Sequence, residues 1–243
     1  MSLVSASPAK GEIADGGDRV CTEEHCFYAF DTLYCSLTSA TPIAPTFPDD
    51  KYPLFVTWNT RSTRPGRAPR LRGCIGIFEA LPLREGLAEY ALYSAFRDTR
   101  FRKIEESELE SLECCISLLT DFEDAASYLD WTVGTHGISI TFPNPSLYPA
   151  SSNTPSPLSS TPYLPRITSR RSLTATYLPD VMPEQGWDKI EAVESAIRKA
   201  GWNGLITEEI RASVKLRRYQ SKRCVVGWDE FVRWRRENGD EEI

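Results

Sequence analysis

The sequence predicts an α+β fold: a mixed, largely antiparallel sheet flanked by helices. Three observations predict it. Apolar stripes at helical spacing alternate irregularly with short β-rich runs, without the strict strand–helix repetition of a doubly wound sheet. Two of those runs flank a long Pro/Gly turn, as in a hairpin. The 243 residues contain apolar and charged side chains in ordinary globular proportions, enough for a core in one or two domains.

The elements follow in order. Thr22 can cap a helix, and Cys26, Phe30, Leu33 and Leu37 then recur at spacings of four, three and four. His25, in the first turn, is expected at the surface. Pro42, Pro45 and Pro48 end the helix and force extended chain. Pro53–Trp58 and Leu71–Phe78 read as strands around a turn from Asn59 to Arg70 that carries Arg61, Arg64, Arg67 and Arg70, predicting a hairpin with a mobile tip. Pro82 suits the first position of a second helix whose face is Leu83, Leu87, Tyr90, Ala91, Ser94 and Ala95. Glu113–Leu119 reads as a buried strand, and Ile138, Ile140 and Phe142 alternate with Ser139 and Thr141 as a half-buried one.

Residues 143–168 are dense in Ser and Pro and nearly uncharged, which predicts a disordered insertion before a strand at Ser172–Leu178. Ile190, Val193, Ile197 and Ala200 form a helical stripe ending at Gly201. Thr207 caps a short helix with Glu208 and Glu209 in its first turn; Val214, Leu216 and Tyr219 suggest a basic strand; Trp228, Phe231, Val232 and Trp234 suggest a last helix. Residues 1–19 read as a disordered leader, 20–237 as one domain, and 238–243 as an acidic tail.

Composition narrows the function classes. A net charge of -6 argues against non-specific nucleic-acid binding by the whole surface. No apolar stretch approaches the roughly 20 residues of a membrane span, so no membrane partner is expected. Seven cysteines, an odd count without an export signal, suit free thiols in a reducing compartment, cytoplasmic or nuclear. With two histidines, His25 and His136, and no Cys-x-x-Cys pair, no metal site is expected, and the absence of Gly-rich nucleotide loops leaves no cofactor in view.

Chemistry concentrates at Leu71-Arg72-Gly73-Cys74-Ile75-Gly76. Glycine inside a strand marks a bulge or a close approach of backbone or ligand, so Gly73 and Gly76 leave Cys74 little steric cover. Arg72, two residues away on the same strand face, would favour thiolate. One reading makes Cys74 a nucleophile, with His136, flanked by Gly134 and Gly137, as its base and Asp98, Glu184 or Asp188 to orient the imidazole. The other makes Cys74 a small buried hydrophobe and His136 a turn residue bonded locally. Glu184-Gln185-Gly186-Trp187-Asp188 either lines a ligand cleft, through Glu184 and Trp187, or starts a helix with Trp187 as anchor. Arg70, Arg72 and Arg100 could form an anion- or RNA-binding rim; the alternative is solvated charge.

These motifs together resemble the AMMECR domain family. Besides the hexapeptide, the family's blocks stand here in order as Tyr52–Trp58, Asp98–Phe101, Ser117–Thr120, His136–Ile138, Ala175–Pro179 and Glu184–Asp188, and the likeness spans residues 22–235. The resemblance implies an α+β domain of two subdomains with the cysteine motif near a cleft between them, in an intracellular protein. It supplies no reaction; an unknown protein or small-molecule partner, and a regulatory or binding role, is the leading expectation, with a Cys74 enzyme as the alternative. Two departures stand out: Ile77 where the family commonly has threonine, and the Ser/Pro insertion in place of a short loop.

Overall fold

Apolar alternation builds six strands that pair into one sheet. The computed structural model describes residues 20–61, 68–147 and 171–239. The expected leader, the hairpin tip with Arg64 and Arg67, most of the Ser/Pro insertion and the last four residues lie outside them. The strands are β1 (Lys51–Thr60), β2 (Arg70–Pro82), β3 (Leu112–Asp124), β4 (Gly137–Pro143), β5 (Ser172–Tyr177) and β6 (Lys215–Gly227). Their order across the sheet is β2-β1-β3-β6-β4-β5. Every pairing is antiparallel, so the expected largely antiparallel α+β sheet stands, without the parallel pair that a mixed sheet would carry.

The helices are α1 (Glu23–Thr38), α2 (Leu83–Phe96), α3 (Val181–Gln185), α4 (Lys189–Lys199), α5 (Glu208–Ala212) and α6 (Trp228–Glu237). Two apolar clusters form beneath them. Phe30 and Leu33 of α1, Leu87 and Ala91 of α2 and Phe231 of α6 pack on Leu54, Val56, Trp58, Ile116 and Leu118. Val193, Ala196 and Ile197 of α4 pack on Ile138, Ile140, Phe142 and Leu216. Leu216 and Val226 share one face of β6 by strand alternation, so a single strand serves both clusters.

The opposite face curls. Phe78 of β2 reaches Tyr219 of β6, ring centroids 5.7 Å apart, across the two intervening strands. Phe55 packs edge-on against Phe78 and Phe122 stacks on Tyr219, closing an aromatic floor. Two irregularities aid the curl. Three residues of β2, Phe78–Ala80, lie opposite Pro53, and Asp121 adopts φ 54° where β3 carries an extra residue against β6.

Three expectations change. His25 is not at the surface: it is 4 % exposed, its ring lies 4.5 Å from Phe47, and its Nδ1 accepts the Thr22 amide at the start of α1. Ile190 leaves the α4 stripe at 44 % exposure because Ala192 and Ala196 complete the buried face instead. The Ser/Pro segment begins in ordered chain, since Pro143 ends β4 and Pro145–Leu147 forms a 3-10 turn.

The start of α4 carries a measurable bond. Asp188 accepts the Glu191 amide at 2.8 Å and Glu191 accepts the Asp188 amide at 2.9 Å. Asp188→Ala is expected to lower stability by about 1 kcal/mol in urea titration, with an unchanged dependence on denaturant.

Candidate functional site

Cys74 sits on edge strand β2, and both of its neighbouring glycines are needed for packing. A Cβ on Gly73 would lie 2.1 Å from the carbonyl oxygen of Ser94 in α2. A Cβ on Gly76 would lie 2.3 Å from the Leu54 carbonyl oxygen and from the Phe55 ring. The glycines thus let helix and neighbouring strand close around the cysteine. Cys74 faces the curled side, directly opposite Thr57 of β1, which stands opposite Cys115 of β3. Thr57 Oγ1 donates to Cys74 Sγ at 3.0 Å. Arg223 of β6 donates to Cys115 Sγ at 3.2 Å and to the Asp180 carboxylate at 2.5 Å.

The main chain of Cys74 is held from outside the sheet. Its amide donates to Asp98 Oδ2 at 2.9 Å, and its carbonyl accepts Arg100 Nη2 at 3.2 Å. Arg100 in turn pairs with Asp98 at 2.7 Å. The Arg100 hydrogen bonds pull the Asp98 carboxyl down to about 2, against the cost of its burial. Burial pushes the Cys74 thiol up, opposed by the Thr57 hydrogen bond and by Arg100 and Arg223. Burial likewise raises Cys115.

The other residues singled out in the sequence fall elsewhere. Arg72 does not support the Cys74 sulfur: its guanidinium pairs with Glu108 at 2.8 Å and donates to the carbonyls of Arg102 and Lys103, clamping the segment after α2 onto the β2 edge. The charges that oppose the burial of the thiol are those of Arg100 and Arg223 instead. His136 and Cys74 form no hydrogen bond. The His136 Nδ1 accepts the Thr132 amide at 2.9 Å and its own amide donates to the Thr132 carbonyl, so the imidazole closes the turn ahead of β4. Trp187 packs edge-on against Tyr177 at 5.6 Å, beside the second apolar cluster, and its amide donates to Met182. Glu184 is exposed on α3. Gly186 ends α3 at φ 68° and Asp188 starts α4. Arg70 is exposed at the start of β2. Among the described residues Arg61 pairs with Asp229, Arg72 with Glu108 and Arg100 with Asp98, so three of the basic residues around the cysteine strand are ion-paired.

With the glycine-flanked cysteine placed, its likenesses can be stated. Residues 26–224 match the AMMECR1 family. The chain belongs to the AMMECR1 family. An uncharacterised protein of Arabidopsis thaliana is 44 % identical over 209 residues, 86 % of either chain. An uncharacterised protein of Schizosaccharomyces pombe is 34 % identical over 219 residues, covering 86 % of this chain and 95 % of its own. The crystal structure of an uncharacterised protein from Pyrococcus horikoshii matches 83 % of this chain and 89 % of its own at 24 % identity, with a TM-score of 0.59; it shares the fold. Among the described residues no helix is long and apolar enough to cross a membrane, and no group of three or more His, Cys, Asp or Glu side chains could hold a metal ion.

In this AMMECR1-family chain, sequence reading missed Thr57, Cys115, Arg223 and Asp180. The first three meet Cys74 only through strand register, and Asp180 only through Arg223. The one usable signal was the Cys114-Cys115 doublet: adjacent residues on a strand point to opposite faces, so one had to leave the core side.

Proposed function

We propose that this AMMECR1-family chain is an intracellular recognition module whose binding surface is the curled sheet face around Cys74, and that Cys74 shapes this surface rather than attacking a substrate. The observation carrying this reading is that the amide, carbonyl and sulfur of Cys74 are each engaged, by Asp98, Arg100 and Thr57, while burial raises the thiol. A thiol nucleophile needs an adjacent base, and His136 is spent on its own turn. Seven free thiols suit a reducing compartment, cytoplasmic or nuclear. Paired arginines favour a protein or small-molecule partner over nucleic acid.

Thiol alkylation of the native protein, followed per cysteine by mass spectrometry against pH, tests the reading. Cys74 should react slowly at neutral pH, with its rate still rising above ~8.5, where a free thiol titrates. Cys74→Ser should keep the fold and its binding. A rate plateau reached well below that pH, lost on Arg100→Ala, would instead establish an activated nucleophile.

A further inference from the structure

The Cys74 main-chain bonds fix which backbone groups of the whole sheet point where. In an antiparallel ladder, alternate residues turn their N–H and C=O toward one neighbour and then the other. Cys74 turns its groups outward, to Asp98 and Arg100. Its opposite, Thr57, therefore turns toward β3, and Cys115 back toward β1. Cys114, Ile116 and Leu118 then face β6, where Val226, Cys224 and Lys222 receive them. That leaves Ser221, Arg223 and Val225 turned to the far side of β6. Strand β4 occupies that side only as far as the Gly137–Tyr219 pair, because the chain turns away at His136. Among the described residues no other strand or loop backbone pairs with these three rungs.

We infer that this open inner edge of β6 receives an extended, acidic peptide segment of a partner protein, added as a further strand. The inference rests on the recognition reading above and names its partner. Two further observations support it. The Ser221 hydroxyl is buried with no hydrogen-bond partner, the one such side chain among the described residues, and it lies on the edge itself. Arg223 is already held by Asp180 and Cys115, but Lys222, on the opposite face, is exposed and Val225 is 45 % exposed, so an added strand that alternates a carboxylate opposite Lys222 with apolar residues opposite Arg223 and Val225 is complementary. Ser221–Val225 spans about 17 Å of extended chain, room for roughly five peptide residues. A second copy fits less well: two-fold antiparallel pairing centred on Arg223 would set that arginine against itself.

Amide hydrogen exchange of the full chain, read by NMR, tests the inference. In the free protein the amides of Ser221, Arg223 and Val225 should exchange fast beside slow Lys222, Cys224 and Val226. A Val-Glu-Val-Glu-Val-Glu peptide at millimolar concentration should slow the three by about tenfold or more. The protection should weaken with salt and on Lys222→Glu, and a Val-Lys-Val-Lys-Val-Lys peptide should give none. Protection already present in the free monomer, unchanged rates with the acidic peptide, or equal protection by both peptides would overturn the inference. Protection that rises with protein concentration, alongside dimer in sedimentation, would also overturn it by giving the edge to a second copy. None of these outcomes bears on Cys74 alkylation, so a failed edge and a failed recognition reading are told apart.

Discussion

Arg235→Ala should destabilise the protein by about 3–5 kcal/mol, since it leaves a buried carboxylate without its counter-charge. Arg235 of α6 pairs with Asp31 of α1, and both side chains are 2 % exposed. The guanidinium also donates to the Thr41 carbonyl at 2.8 Å and lies over the Tyr34 ring at 4.6 Å, while Asp31 accepts the Ile43 amide at 2.9 Å. One ion pair therefore ties the first helix, the segment after it and the last helix. Urea or guanidinium unfolding measures the loss. The double change Asp31→Leu with Arg235→Met should recover most of it, because apolar groups of similar volume need no compensation. A loss below about 1 kcal/mol in the single variant would mean that water reaches the carboxylate.

Gly73→Ala should cost about 1–3 kcal/mol, toward the upper end because the obstacle is a backbone carbonyl. The added methyl would meet Ser94 oxygen at 2.1 Å, and α2 cannot yield freely. Leu87, Ala91 and Ala95 are buried against the sheet, and Trp58 Nε1 donates to the Ala91 carbonyl at 3.0 Å. Any shift of α2 carries the following segment with it, and with it Asp98 and Arg100. The variant should therefore also speed alkylation of Cys74, which a purely global loss of stability would not do selectively. Arg70→Ala, an exposed change at the start of the same strand, serves as the control and should stay within about 0.5 kcal/mol.

The contrast between these two changes shows what the sequence could reveal. Gly73 stood out because glycine in a strand calls for a close approach, and the approach is there. The helices of Phe30, Val193 and Phe231 were legible from spacing alone, since each buries one stripe. The long reach of β3 and β6 was not: Asp121 breaks the alternation of β3, and the solvent-facing lysines and arginines of β6 mask its half-buried face. Within the site, sequence spacing could not show that the Arg72 guanidinium turns to Glu108, a residue 36 positions away, rather than to the Cys74 sulfur. His136 was open to two readings, a base or a locally bonded turn residue, and its acceptor nitrogen is satisfied four residues upstream.

The Asp98–Arg100 pair has a consequence for the protein as a colloid. Carboxylate and guanidinium together accept from an amide and donate to a carbonyl, which is what a neighbouring strand would do. At the rim of the sheet they act as a counterfeit rung, and Arg72 fastens the adjoining loop beside it. Bare strand margins are where folded chains stick to one another and precipitate. Two side chains two positions apart thus keep the glycine-rich margin, which has little bulk of its own to repel a stranger, from templating the growth of an aggregate.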